Sequence, residues 1–345
     1  MILSVIIITH NQKNLFCRCI ESVLSQVLPF DYEIVVSDDA STDGTWEVIQ
    51  GYVKNYPSIV KAFQCNSDDC HPDMVSERAG YNRINGLKHA KGNYLVHLDG
   101  DDMLLGDSCL SLQVQTLESH PECSICCQRY KVVCRSSADY EPLDARIFNE
   151  KETLSVDEFI SVFPYIHNSA CCVRRSIVDA GSLTGDKYDD VDITFTYIGH
   201  GRVALLNYCG FAYSNTCDGT ASDFQKEGQE ICWLSCISSS IIAPQCTGSL
   251  LRASIDKILH VVNVELTGVE LSQDIKGYLS KQSAFIYYCA NNITAKKTRM
   301  RLRILWLYLH FMKWAGLYSD ISMKILYLLA ISSKIPSSTN FSRCI

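Results

Sequence analysis

The sequence has no Gly-rich phosphate loop of either common kind. After the first apolar stretch comes Thr9-His10-Asn11-Gln12, which fits neither a dinucleotide fingerprint nor a Walker loop. A nucleotide, if bound, must then be held by side chains and a metal ion. No apolar run reaches the roughly 20 residues that a spanning helix needs. Residues 1–8 are apolar but lack a basic n-region and a small-residue cleavage site, so a first strand is expected and not a secretory signal. No internal repeat is evident. Negative charge is scarce at the far end: residues 295–345 hold nine Lys or Arg against one acid, Asp320, a local charge of +8. With −7 overall, the other 294 residues carry −15. An acidic body argues against a general nucleic-acid binder. The basic tail points to an anionic surface, most simply a membrane face.

What is present is a globular composition, 47% hydrophobic and 20% charged over 345 residues, enough for one large domain or two modest ones. Eighteen cysteines in a chain of this length, with no secretory signal, are expected to be reduced thiols. Cys123, Cys126 and Cys127 could form half of a zinc site. No second pair at suitable spacing follows, and the segment has a strand pattern, so buried thiols are expected.

Apolar, β-branched runs at 3–9, 32–36, 59–64 and 94–98 alternate with helical periodicity at 15–27, 46–56 and 75–90. Alternation of this kind predicts a doubly wound α/β domain with a mostly parallel sheet and ligands beyond the carboxyl ends of its strands. The three clearest strands end in polar residues: Thr9-His10-Asn11, Asp38-Asp39, and Asp99 to Asp102. Beyond them the pattern predicts a strand at 124–134, a polar loop at 135–151, a short helix at 154–162, a strand at 168–174 and a helical turn at 176–180. Two short strands follow at 203–207 and 211–214, then a mostly helical region at 219–294.

Two acidic stretches carry the chemistry. His97-Leu98-Asp99-Gly100-Asp101-Asp102 places three carboxylates within four residues. Like charges this close need a cation or hydrogen-bond donors to balance them, and hard oxygen ligands suit Mg²⁺ or Mn²⁺. The competing reading is an acidic turn that caps a helix starting near Asp107. Asp189-Asp190-Val191-Asp192 precedes a helical pattern at 193–198, where acids complement the helix N-terminus.

Taken in order, these motifs resemble family 2 glycosyltransferases with the GT-A fold, over about residues 1–215. The run from Ser4 to Asn11 resembles the family's opening strand, which usually ends Pro-Thr-Tyr-Asn. Ser37-Asp38-Asp39-Ala40-Ser41-Thr42-Asp43-Gly44-Thr45 resembles its Asp-Asp-Gly-Ser-Thr-Asp-Gly-Thr segment. Residues 83–92 resemble its Arg-Asn-x-Gly-x-x-x-Ala-x-Gly helix, and Asp99-Gly100-Asp101 its Asp-x-Asp motif. Arg174-Arg175-Ser176 and the acids at 189–192 fall where the acceptor-side acidic motif belongs.

The resemblance implies roles. Asp39 would hydrogen-bond the nucleobase, with Thr9 and Asn11 lining the same pocket. His10 stands where the family usually has Tyr, and Ile84 where it has Asn. Arg83 would approach the diphosphate or support the Asp-x-Asp loop. Asp99 would face the ribose, and Asp101, with Asp102, would hold Mn²⁺ or Mg²⁺ on the diphosphate. Asp190 takes the catalytic base position, with Asp192 a possible substitute and helix capping the alternative for the trio.

The expected activity is inverting transfer of a sugar from a nucleotide-sugar, a UDP-sugar, to a glycan or lipid-linked acceptor in surface polysaccharide or lipopolysaccharide biosynthesis. The alternatives are a nucleotidyltransferase and an inactive nucleotide-sugar-binding or scaffold protein. The expected layout is a GT-A domain at 1–218 (nucleotide half 1–103, acceptor half 104–218), a helical region at 219–294 and a basic, aromatic tail at 295–345. That tail suits helices lying in the plane of the cytoplasmic membrane face, with a pair of core or dimer helices as the competing reading.

Overall fold

The computed structural model describes residues 2–65, 75–134 and, between 138 and 215, all but 144, 157, 160–166, 179–192, 195–196 and 199. They all belong to the first of two units into which the chain divides, Met1–Ser254. The second, Ile255–Ile345, lies outside the described residues, as do the expected boundaries at 218 and 294.

The first half is four parallel strands: β1 (Leu3–Thr9), β2 (Tyr32–Asp39), β3 (Val60–Cys65) and β4 (Tyr94–Asp99), laid side by side in the order β3-β2-β1-β4. Their connections are the helices α1 (Lys13–Leu24), α2 (Thr45–Asn55) and α3 (Val75–His89). β1 is Leu-Ser-Val-Ile-Ile-Ile-Thr and every residue in it is buried. A strand covered on both faces reads as a continuous apolar run with no alternation. α1 turns Phe16, Cys19, Ile20 and Val23 into the core. It ends at Leu24, earlier than the periodicity predicts, and this leaves Val27 67% exposed. α3 lies close against β1, where a Cβ on Gly86 would stand 2.5 Å from the Ile6 side chain. At the opposite edge from the polar strand ends, buried Glu33 accepts from Ser4 Oγ at 2.8 Å and from Lys61 Nζ at 2.7 Å.

The second half extends the same sheet. β5 (Met103–Leu104) follows the acidic loop, then α4 (Cys109–Ser119), β6 (Cys123–Cys134), α5 (Ala145–Glu150), β7 (Thr153–Leu154), β8 (Cys171–Arg174) and β9 (Arg202–Asn215). The full order is β3-β2-β1-β4-β8-β6-β9-β5, with β7 paired to β9. β8 runs antiparallel to both β4 and β6, and β9 parallel to β6.

Several expectations are corrected here. The two short strands at 203–207 and 211–214 are one strand, β9. Its pairing to β6 shifts register around Arg129, so the polar Asn207 and Tyr208 are absorbed by a bulge. The stretch expected as a loop at 135–151 holds α5 and a bridge from Tyr140 to Val132. The segment at 168–174 starts with a 3-10 turn, Asn168–Ala170, before β8 begins. Leu154, expected to begin a helix, ends β7. Cys126 and Cys127 face Cys172 and Cys171 across the β6–β8 pair, all free and buried, and burial pushes the thiols of Cys126 and Cys127 well up. They act as small apolar side chains.

Candidate functional site

The strand order reverses direction between β1 and β4, and a crevice at such a switch point is where open α/β sheets bind ligands. Thr9 ends β1, Asp38 and Asp39 end β2, and Asp99 ends β4. The sheet therefore brings the three polar strand ends to one edge.

The loop after β1 is tied to the loop after β2. Asn11 sits at φ +53 and Ala40 at φ +48, both in the left-handed region. The Asn11 N–H donates to Ser41 Oγ at 2.8 Å, and Asn11 Oδ1 accepts from the Thr42 N–H at 2.8 Å. His10 Nδ1 lies 2.5 Å from the Asp39 carbonyl oxygen and its Nε2 3.0 Å from Asn11 Nδ2. A carbonyl only accepts, so Nδ1 carries the proton and Nε2 accepts from the Asn11 amide. This holds the His10 ring, exposed on its outer side, as a fixed plate beside Asp39.

Asp38 is consumed locally: its carboxylate accepts from the Ser41 N–H at 3.1 Å and from Gln64 Nε2 at 3.2 Å. Asp39 is met from α3 by Arg78, whose Nε and Nη2 reach Asp39 Oδ2 at 3.3 and 3.1 Å. Asn82 on the same helix donates to the Thr9 carbonyl at 3.2 Å. Arg83 is buried and reaches both oxygens of Asp99, at 3.0 and 3.3 Å. Ile84 is buried in the core cluster.

The acidic loop itself is packed tightly. A Cβ on Gly100 would stand 2.7 Å from Gln12 Oε1 and 3.0 Å from the Ile8 carbonyl, so a side chain there would force Gln12 and the loop to shift. Burial, and then the charge of Asp99, push the Asp101 carboxyl up to about 6, against the pull of a Gln12 hydrogen bond and of Arg83. Asp102 is buried; its Oδ1 accepts from the Ser214 N–H of β9 at 2.9 Å. Its Oδ2 lies 3.9 Å from His167 Nε2. Ligand atoms of Asp99, Asp102 and His167 all fall within 4.8 Å of one another, the one such cluster among the described residues. Burial holds the His97 imidazole at about 3 and the His167 imidazole at about 4, so both are neutral at ordinary pH.

Of the predicted site residues, Thr9, His10, Asn11, Asp39, Arg83, Asp99, Asp101 and Asp102 lie on this edge. Asp190, with Asp189 and Asp192, lies outside the described residues. Sequence reasoning missed Gln12, Arg78, His167 and Ser214. Arg78 had a weak signal, being a second Arg on the helix that carries Arg83. His167 and Ser214 had none, since their partner is Asp102, 65 and 112 residues away.

Comparison with known proteins bears on the same region. An uncharacterised protein of Mycobacterium tuberculosis (Rv1520) is 28% identical over 192 residues, which is 55% of this chain and 49% of that one. A Campylobacter jejuni protein named GalNAc(5)-diNAcBac-PP-undecaprenol beta-1,3-glucosyltransferase is 33% identical over 118 residues, 34% of this chain and 35% of that one. The chain thus spans half or less of these curated relatives. Among solved structures, Staphylococcus aureus TarS 1–349 in complex with UDP-GlcNAc superposes with a TM-score of 0.63 and 16% identity over 93% of each chain. That likeness shows the fold, GT-A. The family model for "Glycosyl transferase family 2" matches residues 4–181, just over half of the sequence, and on that match the chain belongs to glycosyl transferase family 2.

Proposed function

We propose that this chain transfers a sugar from a nucleotide-sugar, a UDP-sugar, to a hydroxyl of a glycan or lipid-linked acceptor, with inversion at the anomeric carbon, in bacterial surface-polysaccharide or lipopolysaccharide synthesis. One observation carries the reading: the ends of β1, β2 and β4 converge at the switch point of the sheet. Asp39, fixed by Arg78, and the His10 plate then receive the base, with Thr9 and Asn11 beside it. Asp99, braced by Arg83, faces the ribose.

Asp101 and Asp102 would hold Mn²⁺ or Mg²⁺ on the diphosphate. The fit rests on the donor set, hard carboxylate oxygens, and on the Asp101 carboxyl, which burial first and then the charge of Asp99 push up, so that a cation beside it would offset the cost of its charged form. When bound, the cation supplies Lewis-acid stabilisation of the departing diphosphate. The chain's own part is orientation: Arg83 fixes Asp99, and Gln12 and Gly100 let the acidic loop pack under Thr9. A base opposite the leaving group must take the acceptor proton, and Asp190 is proposed for it. The basic tail would hold the protein at the membrane face that displays lipid-linked acceptors. No helix among the described residues is long and apolar enough to cross a membrane.

The test is incubation of the full chain with a panel of nucleotide-sugars and Mn²⁺, read as release of nucleoside diphosphate. Slow donor hydrolysis with one UDP-sugar is expected. Binding of a UDP-sugar with no hydrolysis and no transfer would favour the inactive binding protein, and no binding to any of the panel would overturn the donor site.

A further inference from the structure

The cluster of Asp99, Asp102 and His167 looks at first like a three-ligand metal centre. The hydrogen bonding of the imidazole argues otherwise. His167 caps the 3-10 turn Asn168–Ala170, and its Nδ1 accepts from the Ser169 N–H at 3.2 Å. A nitrogen that accepts a hydrogen bond carries no proton. A neutral ring with a bare Nδ1 has its single proton on Nε2, and a protonated Nε2 has no lone pair for a cation.

The ring has little freedom to change this. It is wedged between Phe211 and Tyr213, with ring centres 5.0 and 4.7 Å away, and Tyr130 stands at 6.0 Å. Turning it over would set carbon atoms against both the Ser169 amide and Asp102. Asp102 Oδ2 lies 3.9 Å from this protonated Nε2, an acceptor just beyond hydrogen-bond length. A closure of about 1 Å brings the pair to hydrogen-bond length. The other oxygen, Oδ1, already accepts from Ser214.

We infer that His167 is a positioning residue: its Nε2–H, together with the Ser214 N–H, aims the Asp102 carboxylate, and His167 does not itself ligate the cation. Both donors come from the second half of the fold, from the turn before β8 and from the end of β9. The orientation of the acidic loop is thereby keyed to the half of the domain that follows it. A cation bound there would then be held by carboxylate oxygens and not by the imidazole, a donor set that suits Mg²⁺ and Mn²⁺ over softer metals. This deepens the proposed donor site and rests on it, but the state of the ring can be measured without any ligand.

The experiment uses the full chain, labelled with ¹⁵N. Two-bond proton–nitrogen correlation of the histidine side chains, with the His167 signals assigned by their loss in His167→Gln, reads the tautomer in metal-free protein. A bare Nδ1 and a protonated Nε2 are expected; a protonated Nδ1 overturns the inference. With Mn²⁺ and UDP added, pulsed electron paramagnetic resonance is expected to show no coupling to a directly bound nitrogen, and such a coupling overturns it too. Gln at 167 keeps an N–H near the Nε2 position. His167→Gln is expected to bind UDP with Mn²⁺ within about threefold of the parent, while His167→Ala falls by about tenfold or more. Equal losses in the two variants, with thermal melts showing both folded, would refute positioning by an N–H. If UDP and Mn²⁺ do not bind at all, the donor-site reading fails, and the tautomer in the metal-free chain still decides the state of His167.

Discussion

Replacing Asp101 by Asn is expected to make the metal-free protein more stable at neutral pH. Its carboxyl moves from an ordinary 3.8 in the unfolded chain to about 6 in the fold, raised first by burial and then by the charge of Asp99. The charged form is thus disfavoured by folding. Between these two values the folded chain binds more protons than the unfolded one, so stability falls as pH rises through the window and stays low above it. At 1.36 kcal/mol per pH unit the loss is about 3 kcal/mol. Asn removes the titration but weakens a charge-assisted hydrogen bond from Gln12, about 1 kcal/mol, which leaves a net gain of about 2 kcal/mol above pH 7. Urea unfolding in EDTA at pH 7.5 and at pH 4 reads this directly. Asp101→Asn should be the more stable protein at pH 7.5, with the gain shrinking toward pH 4. A variant no more stable than the parent at pH 7.5, or a gain that ignores pH, would refute the reasoning. Addition of Mn²⁺ and UDP should reverse the order, because only the parent keeps the full carboxylate set.

Three further outcomes follow from particular residues. Ala40 holds φ +48, a conformation that glycine adopts without a Cβ penalty, so Ala40→Gly should stabilise the chain by roughly 0.5–1 kcal/mol in urea unfolding, after the added flexibility of the unfolded state is counted. Gly100→Ala pushes a methyl toward Gln12 and the Ile8 carbonyl, so UDP affinity in the presence of Mn²⁺ should fall by tenfold or more with the fold retained by circular dichroism. Asp190→Asn should abolish sugar transfer while UDP affinity stays within about twofold of the parent; transfer at near parental rate would remove Asp190 from the role of base.

The first half of the domain was legible in the sequence for a physical reason. β1, β2 and β4 are buried on both faces, and a parallel sheet under such cover demands unbroken apolar runs. Where each run stops, the chain reaches the sheet edge, and Thr9, Asp39 and Asp99 mark it. The second half was less legible. β9 is one strand interrupted by a polar bulge, and a bulge resembles a loop to any period-2 pattern. α5 is short, and its single buried residue, Phe148, leaves no periodicity to detect. At the site, the acids could be read but their partners could not. Arg78 meets Asp39 across 39 residues and Ser214 meets Asp102 across 112, contacts that exist only once the sheet is assembled. Ala40 shows a related limit: the turn after β2 keeps its left-handed backbone although the residue there is not glycine.

The most direct measurement is calorimetric titration of UDP into the full chain, with Mn²⁺ and with EDTA, for the parent and for Asp101→Ala. The account predicts binding that depends on Mn²⁺ and is lost or at least tenfold weaker in the variant. UDP affinity unchanged by EDTA and by Asp101→Ala, or no UDP binding by the parent, would contradict a metal-assisted donor site at the ends of β1, β2 and β4.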